Sequence, residues 1–284
     1  MTGAFASSTF DTFATGDAVL LDLPALGIEP WGLLLLIVCA AGAGWIDAVS
    51  GGGGLLQLPA LLLLAPQASG AQVLGTNKLG SIIGTSAAAT TYLRRTRPDV
   101  RIAIPMATAA FVGSAIGALL ASRIPTSAFR PVVVILLLGA WTWTLLRPAL
   151  GRADEPYPAS HRRRTITAIA GGFFIGVYDG SFGPGTGSFL LILLVAGIGL
   201  SFLHASATAK IVNLGTNLAA VIVFSATGSI VWALGLAMGL GNLVGAVIGA
   251  RTAIARGSGF VRIVFLVVAG VLILRLGWDL VPRG

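Results

Sequence analysis

The chain has 284 residues, of which 56% are hydrophobic and only 10% are charged, and its mean hydropathy is +0.93. This composition excludes a soluble globular protein, and the sequence lacks the alternating pattern of a membrane β-barrel. The net charge of +8 comes mainly from arginines that are divided among short polar segments, which indicates membrane topology rather than nucleic-acid binding. We therefore expect an all-α, polytopic membrane protein.

The chain begins with an acidic segment that we expect to form a tail outside the membrane. Residues 1–30 contain Asp11, Asp17, Asp22 and Glu29 and no basic residue, so they lack the basic start of a signal peptide. Apolar segments follow, and several are long enough to span a hydrocarbon core of about 30 Å. These segments are 31–64, 71–93, 102–122, 129–146, 166–199, 203–225, 230–250 and 260–280.

Two of the apolar segments, 31–64 and 166–199, are too long for a single span. Each contains a glycine cluster, Gly51–Gly54 in the first and Gly183–Gly187 in the second. Glycine permits backbone conformations that bend or end a helix. We therefore expect each segment to form a hairpin of two short or broken helices that returns the chain to its original side.

The arginines predict how the chain is oriented. Because cytoplasmic segments of membrane proteins are enriched in basic residues, we expect 94–101, 147–164 and 251–262 to face the cytoplasm. The uncharged loop 226–230 is expected outside. Together with the two returning hairpins, this pattern predicts that both the N-terminus and the C-terminus lie outside.

The two halves of the chain repeat each other at an offset of 132 residues. Identical residues at this offset include Gly44 and Gly176, Asp47 and Asp179, Thr76 and Thr208, and Lys78 and Lys210. Residues 94–101 are basic but the equivalent residues 226–233 are uncharged, so equivalent loops should lie on opposite faces. We therefore predict two inverted-topology repeats, each with a broken-helix hairpin and three transmembrane helices. The expected boundaries are a tail (1–30), a first repeat (31–146), a cytoplasmic linker (147–164) and a second repeat (165–284).

Four ionisable residues interrupt the apolar segments, namely Asp47, Asp179, Lys78 and Lys210. The two lysines are the only ones among 18 basic residues. An ionisable group inside a membrane is costly and therefore marks a candidate functional site. We expect the lysines to bind an anionic substrate and the aspartates to serve as proton-coupling groups or salt-bridge partners. The alternatives are that the lysines extend to the membrane interface and that the aspartates cap helices at the glycine breaks.

The glycine clusters offer a second element for anion binding, because each leads directly into an apolar helix. A helix start presents backbone N–H groups and the positive end of the helix dipole. The alternative is that the glycines only form the bend and permit close helix packing. The candidate residues are Gly52, Gly53, Gly54, Gly185 and Thr186.

Uncharged polar side chains accompany both lysines. Thr76 and Asn77 come immediately before the first lysine, whereas Asn213 and Asn217 follow Lys210 on one helix face. Their amide and hydroxyl groups suit a tetrahedral oxyanion bound beside a lysine. Structural hydrogen bonding between helices is the alternative.

These motifs resemble the sulfite exporter TauE/SafE family, also called the toluene-sulfonate uptake permease family. The first half carries AGWIDAVSGGGGLLQLP (43–59) and GTNK (75–78), and the second carries GVYDGSFGPGTGSF (176–189) and ATAKIVNLGTN (207–217). The resemblance covers residues 31–280. It implies a secondary transporter for sulfur-containing anions such as sulfite or organosulfonates, driven by an ion gradient. Because the second half lacks the four-glycine run and an asparagine before its lysine, the two half-sites are expected to be unequal.

The expected function is transport of a small anion across the inner (cytoplasmic) membrane by alternating access, with the proton as the coupling ion. We expect no cofactor, metal site, catalytic residue or nucleic-acid partner, and the sequence does not predict the oligomeric state. An anion channel is the alternative. A membrane-embedded enzyme is disfavoured because the chain has two histidines and no HExxH motif.

Overall fold

A computed structural model describes residues 26–96, 98–121, 138, 139, 141, 142, 144–146 and 161–278. The acidic tail up to residue 25, the segment 122–137 and most of the predicted linker (147–160) lie outside the described residues. In the part of the chain that is described, all regular secondary structure is helical. The predicted all-α fold is therefore confirmed.

Between residues 26 and 121, the described part of the first half forms four long or half-length helices. They are α1 (Pro30–Ser50), α2 (Gly54–Leu64), α3 (Gly70–Thr96) and α4 (Val100–Leu120). The predicted break in segment 31–64 falls between α1 and α2. Gly51 and Gly52 have φ values of 71° and 118°, a region that only glycine occupies readily, so the chain can turn here within two residues.

The second half repeats this order. Its helices are α5 (His161–Ser181), α6 (Thr186–Ile192), α7 (Phe202–Ala226) and α8 (Trp232–Trp278), and a π-helical turn at Leu193–Gly197 follows α6. The predicted break in segment 166–199 lies between α5 and α6, where Gly183 and Gly185 have φ values of 85° and 80°.

One helix boundary differs from the sequence prediction. Helix α5 includes residues from His161 onward, within the predicted linker, because arginines at 162–164 are good helix formers. The predicted spans 230–250 and 260–280 lie in the two helical parts of α8, which are separated by a kink at Gly257 (φ 72°, ψ −172°). The arginines of 251–262 therefore lie on helix rather than in an extended loop.

Within the described ranges, four helices are long and apolar enough to cross a membrane: α1, α4, α7 and residues 232–271 of α8. With a rise of about 1.5 Å per residue, the 11 residues of α2 and the seven of α6 reach only part of the way across. The chain is a polytopic membrane protein with two half-length helices, each following a glycine break.

Glycines let helices from opposite halves approach closely. Helix α4 packs on α5 and helix α8 packs on α1, so each half contributes a partner to the first helix of the other. At several glycines, including four that the sequence repeat relates in pairs, an added Cβ would overlap with a carbonyl oxygen of the facing helix. The four glycine–carbonyl pairs are Gly113 with Phe173, Gly117 with Val177, Gly245 with Ala41 and Gly249 with Trp45. The first two pairs and the last two differ by the same 132-residue offset as the sequence repeat.

Candidate functional site

Three hydroxyl groups from other helices cap the buried end of α1. The last carbonyl groups of a helix have no partner within it, and a hydrocarbon environment supplies none. Here they accept hydrogen bonds of 2.8 to 2.9 Å from side chains on three different helices. The donor–acceptor pairs are Tyr92 to Ala48, Ser206 to Val49, and Ser188 to Gly51. The break between α1 and α2 is thereby fixed inside the protein.

The break between α5 and α6 is satisfied mostly by its own side chains. Thr186 Oγ1 donates to the carbonyl of Gly183 at 2.9 Å, and the hydroxyl of Tyr178 donates to the carbonyl of Pro184. Both bonds stabilise the turn that leads into α6. The two breaks thus adopt related positions by different hydrogen-bond networks.

Two ion pairs cross between the halves of the chain. Lys78 Nζ lies 2.7 Å from Asp179 Oδ2, and Lys210 Nζ lies 2.7 Å from Asp47 Oδ2. The lysine of each half therefore pairs with the aspartate of the other half. Lys78 and Lys210 are only 2% and 1% exposed, so neither extends to the membrane interface.

Each pair holds two charges in an environment where an isolated charge is costly. Mutual attraction offsets the loss of hydration only while both partners are present, so removing one leaves an uncompensated buried charge. An incoming anion could compete with the aspartate for its lysine. The pairs can therefore act both as links between the halves and as exchangeable ligand sites.

A small cavity lies between the two glycine breaks. Its volume open to water is about 20 Å³, which is enough for roughly one water molecule. Most of the residues that the sequence predicts to bind substrate line this cavity, together with both aspartates. They are Asn77, Lys78, Asn213, Asn217, Gly52, Gly53, Gly54, Gly185, Thr186, Asp47 and Asp179.

Two predicted substrate-binding residues do not line the cavity. Thr76 Oγ1 accepts a hydrogen bond from the backbone N–H of Val231 at 3.0 Å and so holds the start of α8. Lys210 lies behind its partner Asp47, whose side chain is 19% exposed. Only Lys78 presents a lysine to the cavity, which makes the two ion pairs unequal.

Both half-length helices begin at the cavity wall. Helix α2 starts after Gly53 and helix α6 starts after Gly185, and both glycines line the cavity. The positive end of the helix dipole favours an anion at such a position. The first-turn N–H groups of Leu55, Leu56 and Ser188 already donate to the carbonyls of Gly52, Gly53 and Gly185. The helix starts and Lys78 therefore share one space with the carboxylates of Asp47 and Asp179.

A comparison with known protein families finds one family that matches most of the chain. Residues 36–276 match the model of the sulfite exporter TauE/SafE family. The chain belongs to this family. The resemblance seen in the glycine and lysine motifs is thus confirmed over most of the sequence.

Three relatives of this TauE/SafE protein cover nearly its whole length. It is 36% identical to a probable membrane transporter protein, ORF9, of Sinorhizobium sp, over 86% of this chain and 92% of that protein. It is 35% identical to the probable membrane transporter protein YfcA of Escherichia coli (strain K12), over 89% of this chain and 92% of the relative. A probable membrane transporter protein of Haemophilus influenzae is 33% identical, over 89% and 97% of the two chains. No solved structure matches the chain.

Three polar side chains of the cavity in the TauE/SafE protein were not predicted from its sequence. They are Gln57, Ser81 and Asn242, and Asn242 Nδ2 donates to Gln57 Oε1 at 2.9 Å. The residues 132 positions from Gln57 and Asn242 are Phe189 and Ala110, so a search guided by the repeat misses them. The available signal was simpler, since each is a polar residue in an otherwise apolar segment.

Proposed function

We propose that the protein is a secondary active transporter, rather than an enzyme, that moves a small sulfur-containing anion such as sulfite or a sulfonate across the inner membrane. The observation that carries this proposal is the pair of buried ion pairs that cross between the halves. One of them, Lys78 with Asp179, lies on the cavity wall beside both helix starts.

An anion that reaches the cavity competes with Asp179 for Lys78. If it displaces the carboxylate, Asp179 is left buried and charged without a cation, which is unfavourable. Uptake of a proton by that carboxylate removes the cost. Anion binding and proton binding therefore favour each other, which couples anion transport to a proton gradient.

Access to this site requires the helices to move. A space of about 20 Å³ is too small for a sulfonate, so the described conformation corresponds to a closed site. We propose that the halves form inverted repeats that rock against each other and expose the cavity alternately to the two sides. In this arrangement the basic residues Arg94, Arg95 and Arg101 face the cytoplasm and both chain termini lie outside.

Uptake into liposomes tests the proposal. Purified wild-type protein should take up radiolabelled sulfite or methanesulfonate with saturable kinetics, and an imposed pH gradient should drive accumulation. Lys78→Ala should abolish uptake by removing the cation of the cavity, while Arg94→Ala, outside the cavity, should retain it.

The outcomes separate the competing functions. Saturable uptake by folded Lys78→Ala at the wild-type rate would exclude the assigned site. Flux through the wild type that neither saturates nor responds to the pH gradient would identify a channel instead.

A further inference from the structure

Two amide groups of the cavity wall have buried atoms without hydrogen-bond partners among the described residues. They are Nε2 of Gln57, a donor, and Oδ1 of Asn77, an acceptor. The two side chains are only 1% and 3% exposed. Buried polar atoms in native proteins are nearly always paired, so an unpaired donor and acceptor facing one cavity indicate a ligand that supplies both partners.

The neighbouring contacts orient the amide of Gln57. Asn242 Nδ2 donates to Gln57 Oε1, which directs Nε2 of the same amide away from Asn242. That Nε2 packs against Gly80, where an added Cβ would lie 3.0 Å from it. Gly80 is three residues after Asn77 and therefore on a neighbouring part of the same face of α3. The unpaired donor of Gln57 thus lies against α3 within one turn of Asn77.

The chemistry of this wall is more selective than that of a lysine alone. Every oxyanion offers an acceptor for Gln57 Nε2, but only an oxyanion that retains a hydroxyl group offers a donor to Asn77 Oδ1. The charges around the cavity also favour an oxyanion that retains its hydroxyl proton and so carries a single negative charge. The cavity exposes one cation, Lys78, together with the carboxylates of Asp179 and Asp47, so a second negative charge on the ligand would be repelled.

Building on the proposed transport function, we propose that the site selects the protonated monoanion of a tetrahedral oxyacid. Its charged oxygens bind Lys78, one oxygen accepts from Gln57, and its hydroxyl donates to Asn77. Dianions of the same acid and monoanions without a hydroxyl are bound less well. These amides have no counterparts in the second half, where Phe189 and Ala209 occupy the equivalent positions.

Methylphosphonate and methanesulfonate form a matched pair of probes. Below the second ionisation of the phosphonate both are tetrahedral monoanions with one methyl group. They differ in the central atom, phosphorus or sulfur, and in the hydroxyl proton that only the phosphonate carries. We expect methylphosphonate to bind the wild type about tenfold more tightly, as measured by calorimetry or ligand-dependent thermal stabilisation. Above that ionisation the advantage should disappear, while methanesulfonate corrects for effects of pH on the protein itself.

Two variants assign the preference to the amide. Asn77→Leu should bind both probes equally because it lacks the acceptor. Ser86→Ala should keep the wild-type preference, because the Ser86 hydroxyl on the same helix donates to the carbonyl of Ile82 outside the cavity. If Asn77→Leu does not fold, the comparison of the two probes on the wild type still tests whether the site prefers the ligand with a hydroxyl group.

The possible failures are distinguishable. Equal binding of both probes by the wild type, lost in Lys78→Ala, would overturn the hydroxyl selectivity but leave the anion site intact. Binding of neither probe, nor of sulfite, would overturn the proposed function itself.

Discussion

Asn217 Nδ2 donates to Thr85 Oγ1 at 3.3 Å, and the two residues lie 132 positions apart in the sequence. They are thus equivalent members of the two halves, in direct contact between α3 and α7. Exchanging the halves also converts the Lys78–Asp179 pair into the Lys210–Asp47 pair, both at 2.7 Å. The contact between Asn217 and Thr85 therefore joins equivalent positions of the two sequence halves.

Neutralising the cavity acid should separate binding from coupling. In Asp179→Asn an anion no longer competes with a carboxylate for Lys78, so we expect its affinity to rise by about tenfold. The variant should also lose acceleration of uptake by a pH gradient, because the proton-binding group is gone. Thermal stabilisation by sulfite and uptake into liposomes measure the two effects.

Asp99→Asn is the control for this change. Asp99 lies at the start of α4, where it accepts a hydrogen bond from the backbone of Arg101, and it does not line the cavity. Its affinity for the anion and its response to the gradient should match those of the wild type. An Asp179→Asn protein that still accumulates anion along a pH gradient would contradict the coupling role.

Removing the second lysine should mainly affect stability. Lys210→Met leaves Asp47 without its cation, and we expect a loss of about 3 kcal/mol in the free energy of unfolding. The double variant Lys210→Met/Asp47→Asn removes both charges and should recover most of that loss. Unfolding in detergent measures the difference, and a double variant less stable than Lys210→Met would show that the pair is not the cause.

The glycines at the crossings between halves should not tolerate a methyl group. Gly245→Ala places its Cβ against the carbonyl oxygen of Ala41, so the helices must separate and we expect a destabilisation of about 1–3 kcal/mol. Gly259→Ala is the matched control, because its Cβ would meet no atom within 4 Å. It should be neutral or stabilising by about 0.5–1 kcal/mol, since alanine favours helix over glycine. Equal stability of the two variants would contradict the close packing.

Much of this arrangement follows from the sequence, because its cause is local. The broken helices at Gly51 and Gly183 were predicted from glycine clusters in segments too long for one span. Burial of Lys78 and Lys210 followed from the cost of charge in lipid. Their partners were predicted by type, but the crossing of the pairs between halves depends on tertiary packing that no local pattern encodes.

The site residues that were not predicted are those without an equivalent residue in the other half of the chain. Gln57 and Asn242 bond to each other across 185 positions and have no counterparts in the repeat, so the pattern that reveals the lysines does not reveal them. Thr76 shows that a residue with an equivalent in the other half need not belong to the binding site. It is duplicated beside a lysine as a ligand would be, yet its hydroxyl is used by the backbone of Val231. Duplication therefore identifies shared structure as readily as a binding site.

The capped end of α1 yields a final test with a matched pair of serines. Ser188→Ala removes the hydroxyl that donates to the carbonyl of Gly51 at the helix break, and we expect a loss of about 1–3 kcal/mol in the free energy of unfolding. Ser86→Ala removes a hydroxyl that donates to the Ile82 carbonyl one turn earlier in its own helix. That carbonyl keeps its backbone hydrogen bond, so the change should be close to neutral. The Gly51 turn also positions the start of α2 at the cavity, so Ser188→Ala should weaken sulfite binding as well. If the variant loses stability but binds sulfite as the wild type does, the serine has only a structural role.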